Sequence, residues 1–171
     1  MKKLALTLTI MIACTICASA QKFALVDMEY ILKNIPSYEM ANEQLNQLSQ
    51  RWQKEVEAKF KEAENLYKNY QADMVFLTDD QKKKKEEEIT AKEKEAVELR
   101  NKYFGQDGEM SKKRQSLLKP IHEDIYNAVK KVSEERGYQV IFDRASSTSI
   151  VFASPRIDVS NEVLDKLGYS K

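Results

Sequence analysis

The sequence predicts a mostly helical α+β protein, in which a small β-rich body carries a long antiparallel helical hairpin. Three observations predict it. Apolar residues recur at steps of three or four from Ala41 to Leu77 and again from Ile89 to Val132, the spacing of one helical face. Strand-like runs occur only near the two ends of the chain, at Phe23 to Val26 and between Tyr138 and Ala153. Four Gly and three Pro punctuate 171 residues, so the elements between them must be long.

The chain opens with Met1-Lys2-Lys3, an apolar run from Leu4 to Ile16, and Ala18-Ser19-Ala20. A charged n-region, a short h-region and a small-residue exit read as an export signal cleaved after Ala20. Met11-Ile12-Ala13-Cys14 loosely resembles a lipoprotein processing site, and lipidation at Cys14 is the alternative. Both cysteines, Cys14 and Cys17, fall inside this signal, so the mature chain holds no disulfide. Removing Lys2 and Lys3 from 28 basic residues leaves 26 against 27 acidic ones, a formal charge of −1. A near-neutral surface of mixed sign argues against a general nucleic-acid binder.

Phe23-Ala24-Leu25-Val26 suits a buried strand, and Asp27 can cap a short helix through Ile31 that Pro36 ends. From Ser37 the helical period runs unbroken through Leu45, Trp52, Val56, Phe60, Ala63, Tyr67, Tyr70, Met74 and Leu77. A helix of about 40 residues would be about 60 Å long, and its stripe must pack on something to be stable. Thr78-Asp79-Asp80-Gln81 is a capping box, with two acidic residues at the positive end of the helix dipole. It starts a return helix whose apolar face reaches Val132 and which ends at Gly137. Gly105 and Gly108 each cost about 1 kcal/mol in a helix interior. With Pro120 they predict a bendable helix rather than a domain boundary.

After Gly137, Tyr138 to Phe142 and Ser149 to Ala153 read as strands, paired antiparallel by simple proximity. Asp158 can cap a last helix with Val159, Val163, Leu164 and Leu167 on one face. The expected division is therefore a signal over 1–20, a body from 21–36 and 119–171, and an arm over 37–118 with its tip near 77–81. A body of about 70 residues has a thin core, and few short strands leave open edges. Self-association through Val26, Val140, Phe142 and Val151 is expected on those grounds.

No catalytic equipment is visible. G-x-x-x-x-G-K-[ST], G-x-G-x-x-G and G-x-S-x-G are all missing. The single histidine, His122, has no cysteine or second histidine to join it. No catalytic residue, metal ligand or cofactor is expected. The chain reads as a binder of other chains, and the candidate contact residues are Phe60, Tyr67, Tyr70, Met74, Val75, Phe76, Leu77, Tyr103, Phe104 and Met110. Met74 to Leu77 are four successive apolar residues, which no single helical stripe can bury. A structural coiled-coil adaptor bridging envelope proteins is the alternative.

An export signal, an opening Phe23-Ala24-Leu25-Val26-Asp27 strand and a helical hairpin stand in a set order. Gly137-Tyr138-Gln139-Val140-Ile141-Phe142-Asp143 follows, and then Asp158-Val159-Ser160 leading to Val163-Leu164. That order resembles the Skp/OmpH family of periplasmic chaperones over essentially the whole mature chain. The resemblance implies a homotrimer in which a trimerisation body holds three coiled-coil tentacles around a cavity. It also implies a periplasmic holdase that receives unfolded outer-membrane β-barrel proteins without ATP. Partners expected beside these clients are other copies of the chain and, transiently, a membrane surface; no nucleic acid is expected. The best-known members are strongly basic and this chain is not. Neither a lipopolysaccharide site nor capture by bulk positive charge is carried over.

Overall fold

The computed structural model describes residues 22–169, so the expected signal, Cys14 and the cleavage site after Ala20 lie outside the described residues. The elements run β1 (Phe23–Val26), α1 (Met28–Lys33), α2 (Pro36–Asp73), a 3₁₀ turn (Met74–Phe76) and α3 (Asp79–Phe104). Then come α4 (Glu109–Arg136), β2 (Val140–Asp143), a second 3₁₀ turn (Pro155–Ile157) and α5 (Ser160–Leu167). The mostly helical α+β class holds. The described residues form two compact units, one running from Pro36 to Glu123 and one joining the described residues before and after it.

In the unit built from both ends, β1 and β2 pair in parallel, with Phe23 opposite Val140 and Leu25 opposite Phe142. This corrects the antiparallel hairpin expected from proximity. Residues 149–153 form no strand. The reason lies in β1, whose carbonyls are used on both flanks. Leu25 O accepts from Val159 N at 2.9 Å, and Val26 O accepts from Arg144 N at 2.8 Å. Asp143 Oδ1 also takes the N–H of Ala145 at 3.0 Å, turning the chain away before a hairpin can form. A parallel partner reached by way of helices is the ordinary solution for β1.

Asp27 caps α1, accepting Tyr30 N at 2.8 Å, and α1 extends to Lys33. Pro36 opens α2 rather than merely ending α1, a position where its missing N–H costs nothing. α5 follows Asp158, whose Oδ1 accepts Ser160 N at 2.9 Å. α1 lies against α5. The core joins Ala24, Val26, Ile31, Ile125, Val132 and Val163, all buried. Gly137, at φ +70°, turns the chain out of α4 in the left-handed conformation that favours glycine.

In the other unit α2 and α3 form the long helical hairpin. At 1.5 Å per residue α2 is about 57 Å long. The turn is the expected capping box: Thr78 N donates to Gln81 Oε1 at 2.9 Å and Gln81 N to Thr78 Oγ1 at 3.4 Å. The return is not one bendable helix. It breaks between Phe104 and Glu109. A Cβ on Gly105 would lie 2.4 Å from Asn101 O, and one on Gly108 within 2.9 Å of three backbone atoms, so the break is a close backbone approach that both glycines permit. Pro120, by contrast, is carried inside α4 without ending it.

Candidate functional site

Two apolar surfaces stand out, one in each unit. At the hairpin tip the 3₁₀ turn sends successive side chains around its axis, so no single seam covers them. Val75 is 79% and Phe76 84% exposed. Met74 is also exposed and Leu77 half-buried. The other expected contact residues divide. Phe60, Tyr67 and Phe104 are partly exposed, with Arg100 lying 6.0 Å from the Phe60 ring centre. Tyr103 and Met110 are half-buried. Tyr70 is buried in the seam, its hydroxyl donating to Glu86, which leaves it no contact surface in the single chain. That hydrogen bond to a carboxylate raises the Tyr70 pKa, as the bond to Glu55 does for Tyr103.

Trp52 is the residue that sequence reasoning left in the stripe. Its ring stacks on Tyr103 at 4.6 Å and 4°, and Phe104 meets both rings edge-on at 6.4 Å. Tyr103 Oη donates to Glu55 Oε2 at 2.7 Å. Tyr103 and Phe104 stand directly before the Gly105–Gly108 break, and the trio is far in sequence from the tip group.

Between them the seam is thin, built on Val56, Ala63, Ile89 and Ala96. It is flanked by a charge quartet: Lys59 pairs with Glu95 at 2.9 Å and Lys92 with Glu62 at 3.1 Å, with longer contacts completing the ring. Those pairings raise both lysines and lower both glutamates in pKa.

The second surface lies on the outer face of the two-stranded sheet. Phe23, Val140 and Phe142 share that face by strand alternation and are each about half exposed. Val151 at 98% and Phe152 at 84% stand beside a groove of about 530 Å³. Of the four residues expected to pool between copies, Val140, Phe142 and Val151 are on this surface, while Val26 is buried in its own chain. Phe152 was missed, although Ile150-Val151-Phe152 carries the same signal as the tip, a run too apolar for one buried face.

Among the described residues no group of three or more His, Cys, Asp or Glu could hold a metal ion. No described helix is long and apolar enough to cross a membrane.

The family model for outer membrane protein (OmpH-like) matches residues 22–167. No curated protein sequence matches the chain. A crystal structure from Caulobacter crescentus CB15, provisionally described as an outer membrane chaperone (OmpH-like), superposes with a TM-score of 0.66 at 14% identity. The match covers 85% of this chain and 82% of that one. At that identity the likeness shows the fold, and the family match spans nearly every described residue. The chain therefore belongs to the outer membrane protein (OmpH-like) family.

Proposed function

We propose that this protein is an ATP-independent holdase of the periplasm that binds unfolded outer-membrane β-barrel proteins and keeps them from aggregating. Family membership supports a chaperone-type role. The observation that carries the finer reading is the uncovered tip, where Val75 and Phe76 face solvent at the end of a long hairpin. Exposed apolar groups on a charged rod mark a contact surface, and the flexible thioether of Met74 suits varied apolar partners. A holdase acts by binding the unfolded state and blocking contacts between exposed segments. Several weak contacts retain a client by avidity while each stays reversible.

In this reading residues 21–36 and 119–171 form the body, and 37–118 the arm. The body associates with two further copies through its open sheet face, covering Phe23, Phe142, Val151 and Phe152. The sheet packs one face on the helices and leaves Phe23, Val140 and Phe142 half exposed on the other, and the open edge of β2 is a ready template for another chain. Sedimentation at micromolar concentration then shows a trimer, and a folded monomer overturns this part.

The function is tested with Val75→Ser/Phe76→Ser in a refolding assay on an aggregating outer-membrane protein. The double variant is expected to lose most of the suppression while keeping its helical spectrum and oligomeric state. Unchanged suppression with an intact assembly refutes the role of the tip. A pull-down from periplasm that returns one stoichiometric folded partner, instead of many β-barrel precursors, favours an adaptor.

A further inference from the structure

From Arg144 to Asp158 the chain holds no regular element beyond the 3₁₀ turn at Pro155–Ile157. Yet one guanidinium closes both ends of this segment. Arg144 Nε and Nη2 donate to Asp27 Oδ2 at 3.2 and 3.0 Å, and Nε lies 3.5 Å from Asp158 Oδ2. Both carboxylates are themselves anchored. Asp27 caps α1, and its backbone N–H donates to Ser160 Oγ at 2.8 Å. Ser160 Oγ in turn donates to Asp158 Oδ1 at 2.6 Å. The middle of the segment carries Val151 and Phe152, which line the groove with Phe23 and Phe142.

We infer that Arg144 is the positioning residue of the association face, closing this loop at its base so that Val151 and Phe152 stand ready beside the sheet. The inference rests on the self-association reading above and adds the residue that prepares the surface. Backbone bonds from Arg144 N to Val26 O and from Val159 N to Leu25 O seat the two ends on β1. A loop whose ends are not also joined to each other must still be ordered further before it can be covered, and that ordering weakens binding. A planar fork held by two fixed carboxylates does the ordering in advance, and Lys, a single point charge, reproduces it only in part. Arg144 is itself 43% exposed, so its ion pairs contribute only modestly to the fold of one chain. Its larger effect falls on assembly.

The test measures the concentration at which the assembly half-dissociates, using the full mature chain. Arg144→Ala is expected to raise it about tenfold, and Arg144→Lys by an intermediate factor, with the helical spectrum kept. In a Val151→Ser/Phe152→Ser background, Arg144→Ala is expected to add less than about twofold, because it acts through the residues already removed. Asp158→Asn retains an acceptor for Ser160 while dropping the charge, and is expected to give about a threefold rise even if Arg144→Ala does not fold. No change with Arg144→Ala, or a full effect in the doubly substituted background, overturns the positioning role. If Val151→Ser/Phe152→Ser alone leaves assembly unchanged, the self-association surface itself is refuted and the inference falls with it.

Discussion

In the unit built from the chain's two ends, polar bonds join residues far apart in sequence. Asp27 N reaches Ser160 Oγ across 133 positions, and Met28 N reaches Asp143 Oδ1 across 115. The hairpin is held otherwise, by a thin line of Val56, Ala63, Ile89 and Ala96 with charges along its flanks. Both units leave apolar side chains in solvent, but in different settings. In the body they stand next to a rigid polar network; at the tip they sit on a short turn with few neighbours. The difference teaches that the two proposed contact surfaces are held in different ways, one beside bonds of long sequence separation and the other on a short turn.

The sharpest way to break that contrast is the same substitution made in both units. Ile125→Ala empties a site fully enclosed in the body, at 1% exposure, and is expected to cost about 4 kcal/mol. Ile89→Ala opens a gap in a two-helix seam that can close by a small shift, and is expected to cost about 2 kcal/mol. Urea unfolding of the two variants measures both. Equal costs would mean that the hairpin is as tightly determined as the body.

Backbone substitutions give the next largest effect. Gly108→Ala places a Cβ within 2.9 Å of Tyr103 O and two atoms of Gly105, and is expected to cost about 2 kcal/mol. Gly137→Ala meets nothing within 4 Å and carries only the left-handed backbone cost, about 1 kcal/mol. Thermal unfolding ranks them. A stabilising Gly108→Ala would show that the return arm prefers one continuous helix.

That break marks the limit of what the residues disclose. Thr78 and Gln81 announced the turn, and Asp27 its helix, because capping is decided within three or four positions. Two glycines cost too little to end a helix by themselves. What makes the break is how closely Gly108 approaches Tyr103 O, a fact of folded geometry. The pairing of β2 was misread for a related reason: its partner is β1, more than a hundred residues away, whereas nearness in sequence favoured 149–153. Trp52 stood in the helical stripe, but its stack on Tyr103 depends on the register of two helices. The exposed tip was legible because four adjacent apolar residues defeat any single helical face.

Acid should act on the body through its anchored carboxylates. The backbone bond from Tyr30 N, with the Arg144 guanidinium beside it, holds Asp27 below the usual carboxylate range. Burial pushes Asp143 up, but hydrogen bonds from Ser146, Met28 and Ala145 outweigh it and leave it lowered. A carboxylate lowered in the folded state stabilises it above the unfolded pKa, near 3.9, and that contribution drains away as pH falls through the folded value. The body is therefore expected to hold its stability down to about pH 4 and lose it below. Asp27→Asn should lower the melting temperature by about 3 °C at pH 7 and by progressively less as the pH falls below 4. A loss that is the same at both pH values would assign the effect to packing rather than charge.

The smallest effect is expected in the partly exposed charge quartet of the hairpin. Lys92→Gln and Glu62→Gln, singly and together, isolate the coupling between two members of the hairpin quartet. Exposed pairs contribute little and are screened by salt, so the coupling should be barely measurable at low ionic strength and vanish near 1 M salt. The same cycle on Asp27 and Arg144 should keep most of its coupling at high salt, because Asp27 is only 21% exposed and the fork makes two bonds to one oxygen. A hairpin coupling that survived high salt would show that the quartet sets the register of the two helices, and the contrast between a fixed body and an adaptable arm would no longer hold.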